Sequence, residues 1–248
     1  MPAAILLAPA SAFVAGLVDA IAGGGGLITL PALLAVGLPP HVALGTNKGQ
    51  AVFGAASSLT TYWHKKEIDT RRARASFPLA ALGSAAGALL VLLIRPEPLR
   101  PIVIALLLLA AGVVFARGRV VGEPRKLVHP MRAATLLALA LGLYDGFFGP
   151  GVGSLLIVAF AMVFGDTLTR ASANAKVNNF ASNVAAVAIF ASRGTILWEV
   201  ALPMALANAV GATVGARLAV RRGEPLVRVM VLVVVAALLA KLLVDWAP

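Results

Sequence analysis

The chain has 248 residues, 60% of them hydrophobic and only 12% charged, with no cysteine, a formal net charge of +11 and a mean hydropathy of +0.94. A soluble domain carries about a quarter charged residues, so these apolar stretches exceed one aqueous core and the bilayer is the solvent that accommodates them. The missing cysteines exclude a disulfide framework, a thiolate metal site and thiol chemistry, and the basic excess is not a nucleic-acid surface, because it lies in short loops between apolar runs and acts as a topology signal.

Five apolar segments precede the midpoint, at about 3–22, 26–38, 41–63, 75–94 and 99–116, and five follow it, at about 133–148, 152–165, 171–191, 200–218 and 226–245. The first segment imitates a secretory leader, yet it lacks a basic start and has an internal counterpart, so it reads as the first element of a repeat. The second segment of each half, near a dozen residues, is short of the roughly 20 needed for a span. It is joined to the first by GGGG (Gly23–Gly26) or GPGVG (Gly149–Gly153), which predicts a re-entrant hairpin or a broken helix enclosed by protein.

The halves say nearly the same thing twice. GLVDAIAGGGG returns 126 positions later as GLYDGFFGPGVG, GTNKGQ returns 128 later as ANAKVNN, and GSAAGA returns as GATVGA. Such a duplicated hydrophobic unit, with charges and broken glycine turns at matched places, is the pattern of a secondary transporter. Five segments per half is an odd number, so the second half is inverted. Loop 64–74 holds five basic residues, whereas its counterpart 192–199 holds Arg193 and Glu199. The expected fold is all-α and polytopic: a first inverted repeat over 1–116, a cytoplasmic linker over 117–132 and a second repeat over 133–248. Loops 64–74, 117–132 and 217–228 face the cytoplasm and both termini face out.

Of ten acidic residues, eight lie in loops or near segment ends; Asp19 and Asp145 do not. Each stands just before a glycine run inside the apolar region, where a carboxylate is costly and a functional candidate. Helix capping is the plainer role, and the two roles are compatible. Burial raises a carboxylate's pKa and a lysine lowers it, so both are candidates for proton coupling. Lys48 and Lys176 form the second pair. Each is either a structural lysine, snorkelling or paired with an aspartate, or an anion-binding ammonium set among neutral donors: Thr46, Asn47 and Gln50 in one half, Asn174 and Asn178 in the other. Each glycine run opens a short helix whose N-terminus offers unpaired amides and partial positive charge, which adds Gly24, Gly25, Gly151 and Gly153 to the expected substrate site. GSAAG and GATVG read as helix-packing motifs. Trp63 and Trp198 read as interfacial anchors. His41, His64 and His129 have no ligand spacing, so neither metal nor cofactor is expected. Ser154 has no histidine in a segment to activate it, so no enzyme is expected.

At these residues the chain resembles a known family. GLVDAIAGGGGLITLPALLAVGLPPHVALGTNK (Gly16–Lys48), with GLYDGFFGPGVGS (Gly142–Ser154) and ASANAKVNNFASN (Ala171–Asn183), is similar to the sulfite exporter TauE/SafE family over essentially the whole chain. The resemblance implies a multi-pass plasma-membrane transporter, usually bacterial, for sulfur-containing anions such as sulfite, sulfoacetate or related organosulfonates. Members are linked to both export and uptake, so direction does not carry over. The alternative is an anion channel lined by the duplicated hairpins.

Overall fold

A computed structural model describes residues 2–99, 101–106 and 130–223. Most of the expected linker and the tenth segment lie outside the described residues. The principal helices among the described residues are α1 Pro2–Ala22, α2 Gly26–Ala35, α3 Pro40–His64, α4 Thr70–Leu92, α5 Pro130–Phe147, α6 Val152–Phe164, α7 Leu168–Ser192 and α8 Trp198–Arg222. Residues 96–99 and 101–106 are helical too. No strand occurs among the described residues.

Hydropathy placed most helix ends within a few residues, and the differences have local causes. α4 starts at Thr70, ahead of its apolar run, because the Asp69 carboxylate accepts the Arg72 amide at 3.1 Å and caps the helix. α8 continues through Arg217, Arg221 and Arg222, where basic side chains suit a helix C-terminus. α3 opens on Pro40 at the first helical position, where the missing N–H costs nothing. α4 and α8 are long and apolar enough to cross a membrane. α3 and α7 are as long, at 25 residues each, but carry the polar site residues at mid-length.

The helices pair mainly across the halves. α4 packs along α5 and α1 along α8; α3 then packs on α8 and α7 on α4. Glycines make the two closest crossings. A Cβ added at Gly83 or Gly87 of α4 would overlap the α5 backbone at Leu139 or Leu143. At the matched places in α8, Gly211 and Gly215 meet the α1 backbone at Phe13 and Leu17. GSAAG and GATVG are therefore packing stripes that let helix backbones touch.

Two apolar clusters lie on either side of a polar layer. One gathers α2, the start of α3 and the end of α4 around Leu30, Leu44 and Val91, together with Ile196 and Phe190. The other gathers α6, the start of α7 and the end of α8 around Ile157, Leu168 and Ala219, together with Tyr62 and Ile68. Asp19, Lys48, Asp145 and Lys176 belong to neither cluster.

Candidate functional site

The polar layer begins with the two helix breaks. Gly23 and Gly24 have φ of +72° and +95°, and Gly149 and Gly151 have φ of +94° and +84°, values that favour glycine. The breaks cross each other: a Cβ on Gly153 would lie 2.8 Å from the Gly23 Cα, and one on Gly23 would overlap the backbone of Gly153 and Ser154. The last carbonyls of α1 have no helical partner, and hydroxyls from elsewhere satisfy them. Tyr62 donates to the Ala20 carbonyl at 2.7 Å, Ser172 to Ile21 at 2.8 Å and Ser154 to Ala22 at 2.8 Å. Broken backbone at this depth requires such partners. Ser154 thus has a structural partner in the open turn.

Lys48 is the ninth residue of α3 and Lys176 the ninth of α7. Lys48 Nζ donates to Asp145 Oδ1 at 2.5 Å, and Lys176 Nζ donates to Asp19 Oδ2 at 2.5 Å. Each lysine is therefore paired with the aspartate of the other half. Lys176 is fully buried, Lys48 and Asp145 are 3% and 2% exposed, and only the Asp19 side chain, at 25%, reaches open space. Asp19 Oδ1 also accepts the Gly25 amide at 3.1 Å, just before α2, so one side chain holds both a glycine-turn amide and an ion pair. Asp145 Oδ2 accepts from Asn179 at 3.4 Å. A Cβ on Gly149 would stand 2.9 Å from Lys48 Nζ and 3.0 Å from Asp145 Oδ1, so this turn closes directly over the pair.

A cavity of about 30 Å³ opens at the crossing, enough for ordered water. Asp19, Lys48 and Asp145 form its charged wall, with the backbone at Gly24, Gly25, Gly149, Gly151 and Gly153. Asn47, Gln50, Asn179, Asn183 and Asn208 supply amides. Asn47 accepts from Thr29 at 2.5 Å and from Gln50 at 3.1 Å, and Asn208 donates to Gln50 at 2.6 Å.

Most of the expected site residues thus converge, but four of the eleven substrate positions do not line this cavity. Lys176 stands behind Asp19. Thr46 accepts the Leu197 amide at 3.0 Å, and its counterpart Asn174 accepts the Asp69 amide at 3.0 Å. Both tie a third helix to the loop that starts a fourth, a backbone need that looks like an anion donor in the sequence. Asn178 is buried, and its Oδ1 and Nδ2 have no partner among the described residues. The reason is local: its counterpart Gln50 bonds Asn208, whereas the place matching Asn208 holds Ala80. Truncating Gln50 to alanine is therefore expected to destabilise the protein by about 1–3 kcal/mol through orphaned partners. Asn178→Ala should cost clearly less, as read by thermal unfolding in detergent.

Sequence reasoning missed Asn208, Thr29, and a second charged cluster. Arg72 holds Asp166 through both guanidinium nitrogens, at 2.6 and 3.3 Å, and reaches Asp69 at 3.3 Å. The guanidinium lies 4.0 Å from the Phe164 ring centroid, a cation–π contact. Asn174 joins Asp166 at 3.3 Å. Burial acts to raise the Asp69 carboxyl, but the Arg72 amide and guanidinium outweigh it and hold the group below its ordinary range. Counting Arg72 only as a loop charge hid this lock between the halves.

Comparisons with known proteins agree on one family. The model of the family described as Sulfite exporter TauE/SafE matches residues 8–242. A Haemophilus influenzae protein named "Probable membrane transporter protein" is 40% identical over 94% of this chain and 92% of its own length. A Sinorhizobium protein, "Probable membrane transporter protein ORF9", is 37% identical over 95% and 90%, and the Escherichia coli K12 "Probable membrane transporter protein YfcA" is 36% identical over 94% and 87%. No solved structure matches. With its crossed glycine breaks, buried lysine–aspartate pairs and a match over nearly its full length, this chain is a membrane transporter that belongs to the sulfite exporter TauE/SafE family.

Proposed function

We propose that the protein is a secondary active transporter of small sulfur-containing anions, such as sulfite, sulfoacetate or related organosulfonates. It is a multi-pass protein of a bacterial inner membrane and works by proton-coupled alternating access. The observation that carries this reading is the exchange of partners between halves: Lys48 with Asp145, and Lys176 with Asp19. The halves are read as inverted repeats related by a two-fold axis in the membrane plane, which is why equivalent pairs form twice. Loops 64–74 and 217–223 then lie on the cytoplasmic side, opposite 193–197.

Charge arithmetic gives the mechanism. Two ammonium groups and two carboxylates sum to zero. An anion seated beside a lysine leaves a net negative charge in a dry site, which is costly. A proton taken by the displaced aspartate restores neutrality, so anion and proton travel best together. The pairing supports the same order of events, because each lysine is already held by an aspartate and must be taken from it to receive the anion. The amides and the α2 and α6 N-termini then supply neutral donors for the oxyanion. A channel needs a continuous polar path, and lysine–aspartate pairs that bridge the two halves across the site favour a carrier.

The test is a binding screen of sulfite, sulfate, thiosulfate, taurine and sulfoacetate on purified protein, with Lys48→Ala and Lys176→Ala beside the wild type. The best anion should lose roughly ten- to a hundred-fold in affinity in Lys48→Ala, the loss of a charge-assisted hydrogen bond worth about 1.5–3 kcal/mol. Unchanged affinity in both folded variants would return the lysines to a purely structural role.

A further inference from the structure

We propose that the groove between α3 and α8 at the basic end of the molecule binds the phosphodiester headgroup of an anionic phospholipid. This site is separate from the ion-pair cavity. The groove measures about 780 Å³, in the range of small-ligand pockets. Lys65, Arg217 and Arg221 line its mouth with His64, and no carboxylate is among its lining residues. All four are exposed, and the two arginines stand one helical turn, about 6 Å, apart on α8. Toward the membrane centre the lining changes to threonine hydroxyls and then to Phe53, Ala56 and Ala209. That order, cationic then polar then apolar, matches a phospholipid from phosphate to acyl chain.

The duplicated halves supply an internal comparison. The places matching Thr60, Thr213, Arg217 and Arg221 hold Ala188, Ala85, Leu89 and Leu93. Leu89 and Leu93 are 42% and 81% exposed, which is how a lipid-facing surface looks. The fold therefore does not require polar residues at these four places; the other half keeps one basic residue, Arg193 at the place matching Lys65, but has leucines where this groove has its arginine pair. The same contrast argues against a transport path, since alternating access needs a polar route on both faces. A charge-complementary anion present on one side only satisfies both facts. In the topology proposed above this end faces the cytoplasmic leaflet, whose anionic lipids attract such clusters. The choice of leaflet rests on that topology, whereas headgroup binding does not.

The test uses the purified full chain in neutral detergent, titrated with phosphatidylglycerol, phosphatidylcholine or soluble glycerol phosphate, with thermal unfolding as the readout. Phosphatidylglycerol should raise Tm by about 5 °C or more at saturation, and the other two should not. Arg217→Gln with Arg221→Gln should lose that rise while its Tm without lipid stays within about 2 °C of wild type, since both positions are exposed. Arg71→Gln with Arg74→Gln, the same charge change on the same face, should keep it. An undiminished rise in the first double variant, an equal loss in the second, or an equal effect of phosphatidylcholine or soluble phosphate would overturn the proposal. Flux does not enter the measurement, so its outcome is independent of the transport reading.

Discussion

Asp145→Ala is expected to destabilise the protein by about 3–5 kcal/mol, because it strands the Lys48 ammonium in a buried site where, among the described residues, no other carboxylate is bonded to it. Removing both partners, Lys48→Met with Asp145→Leu, should recover most of that loss, since two packed apolar groups replace a desolvated pair. The restored protein should nevertheless transport more slowly, by about ten-fold or more at sub-saturating anion, because one of the two charges that receive the anion is gone. Thermal unfolding of both single variants and the double variant gives the coupling energy, and vesicle flux gives the activity. A double variant that is stable and transports normally would make the pair a packing device. Asp19→Ala should be milder, since that carboxylate is one quarter exposed and water can reach the site when it is removed.

The second large effect concerns coupling. In proteoliposomes under an imposed pH gradient, the wild type should accumulate anion up to about ten-fold per pH unit for one proton per anion, as one pKa unit equals 1.36 kcal/mol. Asp19→Asn with Asp145→Asn keeps the shape and some hydrogen bonding of both side chains but removes titration. Its gradient-driven accumulation should vanish while exchange of anion for anion continues, because the lysines remain. If the double variant accumulates anion like the wild type, the aspartates only cap and pair.

Much of this arrangement was legible in the sequence because duplication marks it. Asp19 and Asp145 recur 126 residues apart, Lys48 and Lys176 recur 128 apart, and charges in apolar segments are costly enough to be informative. Partner choice was not legible. A repeat unit read alone suggests that each lysine serves its own aspartate, whereas helix packing across the halves exchanges them. Asn208 was hidden for the opposite reason: it has no counterpart, since the matching place is Ala80, and a lone amide in an apolar helix carries little signal. Thr46 and Asn174 misled because a side chain that holds a loop amide and one that holds an anion are the same donor or acceptor in a sequence. Arg72 and Asp166 read as loop residues in the sequence, where charges are ordinary, and only the fold brings them to 2.6 Å.

In the proposed mechanism an anion takes a lysine from its aspartate and a proton follows. Proton uptake on binding measures this directly. A sulfonate that stays ionised across the working pH range is mixed with weakly buffered protein, and a pH dye counts the protons consumed per anion bound. The account predicts uptake, approaching one proton per anion where the aspartates begin ionised, and none in Asp19→Asn with Asp145→Asn. Saturable binding by the wild type with no proton uptake at any pH would contradict it.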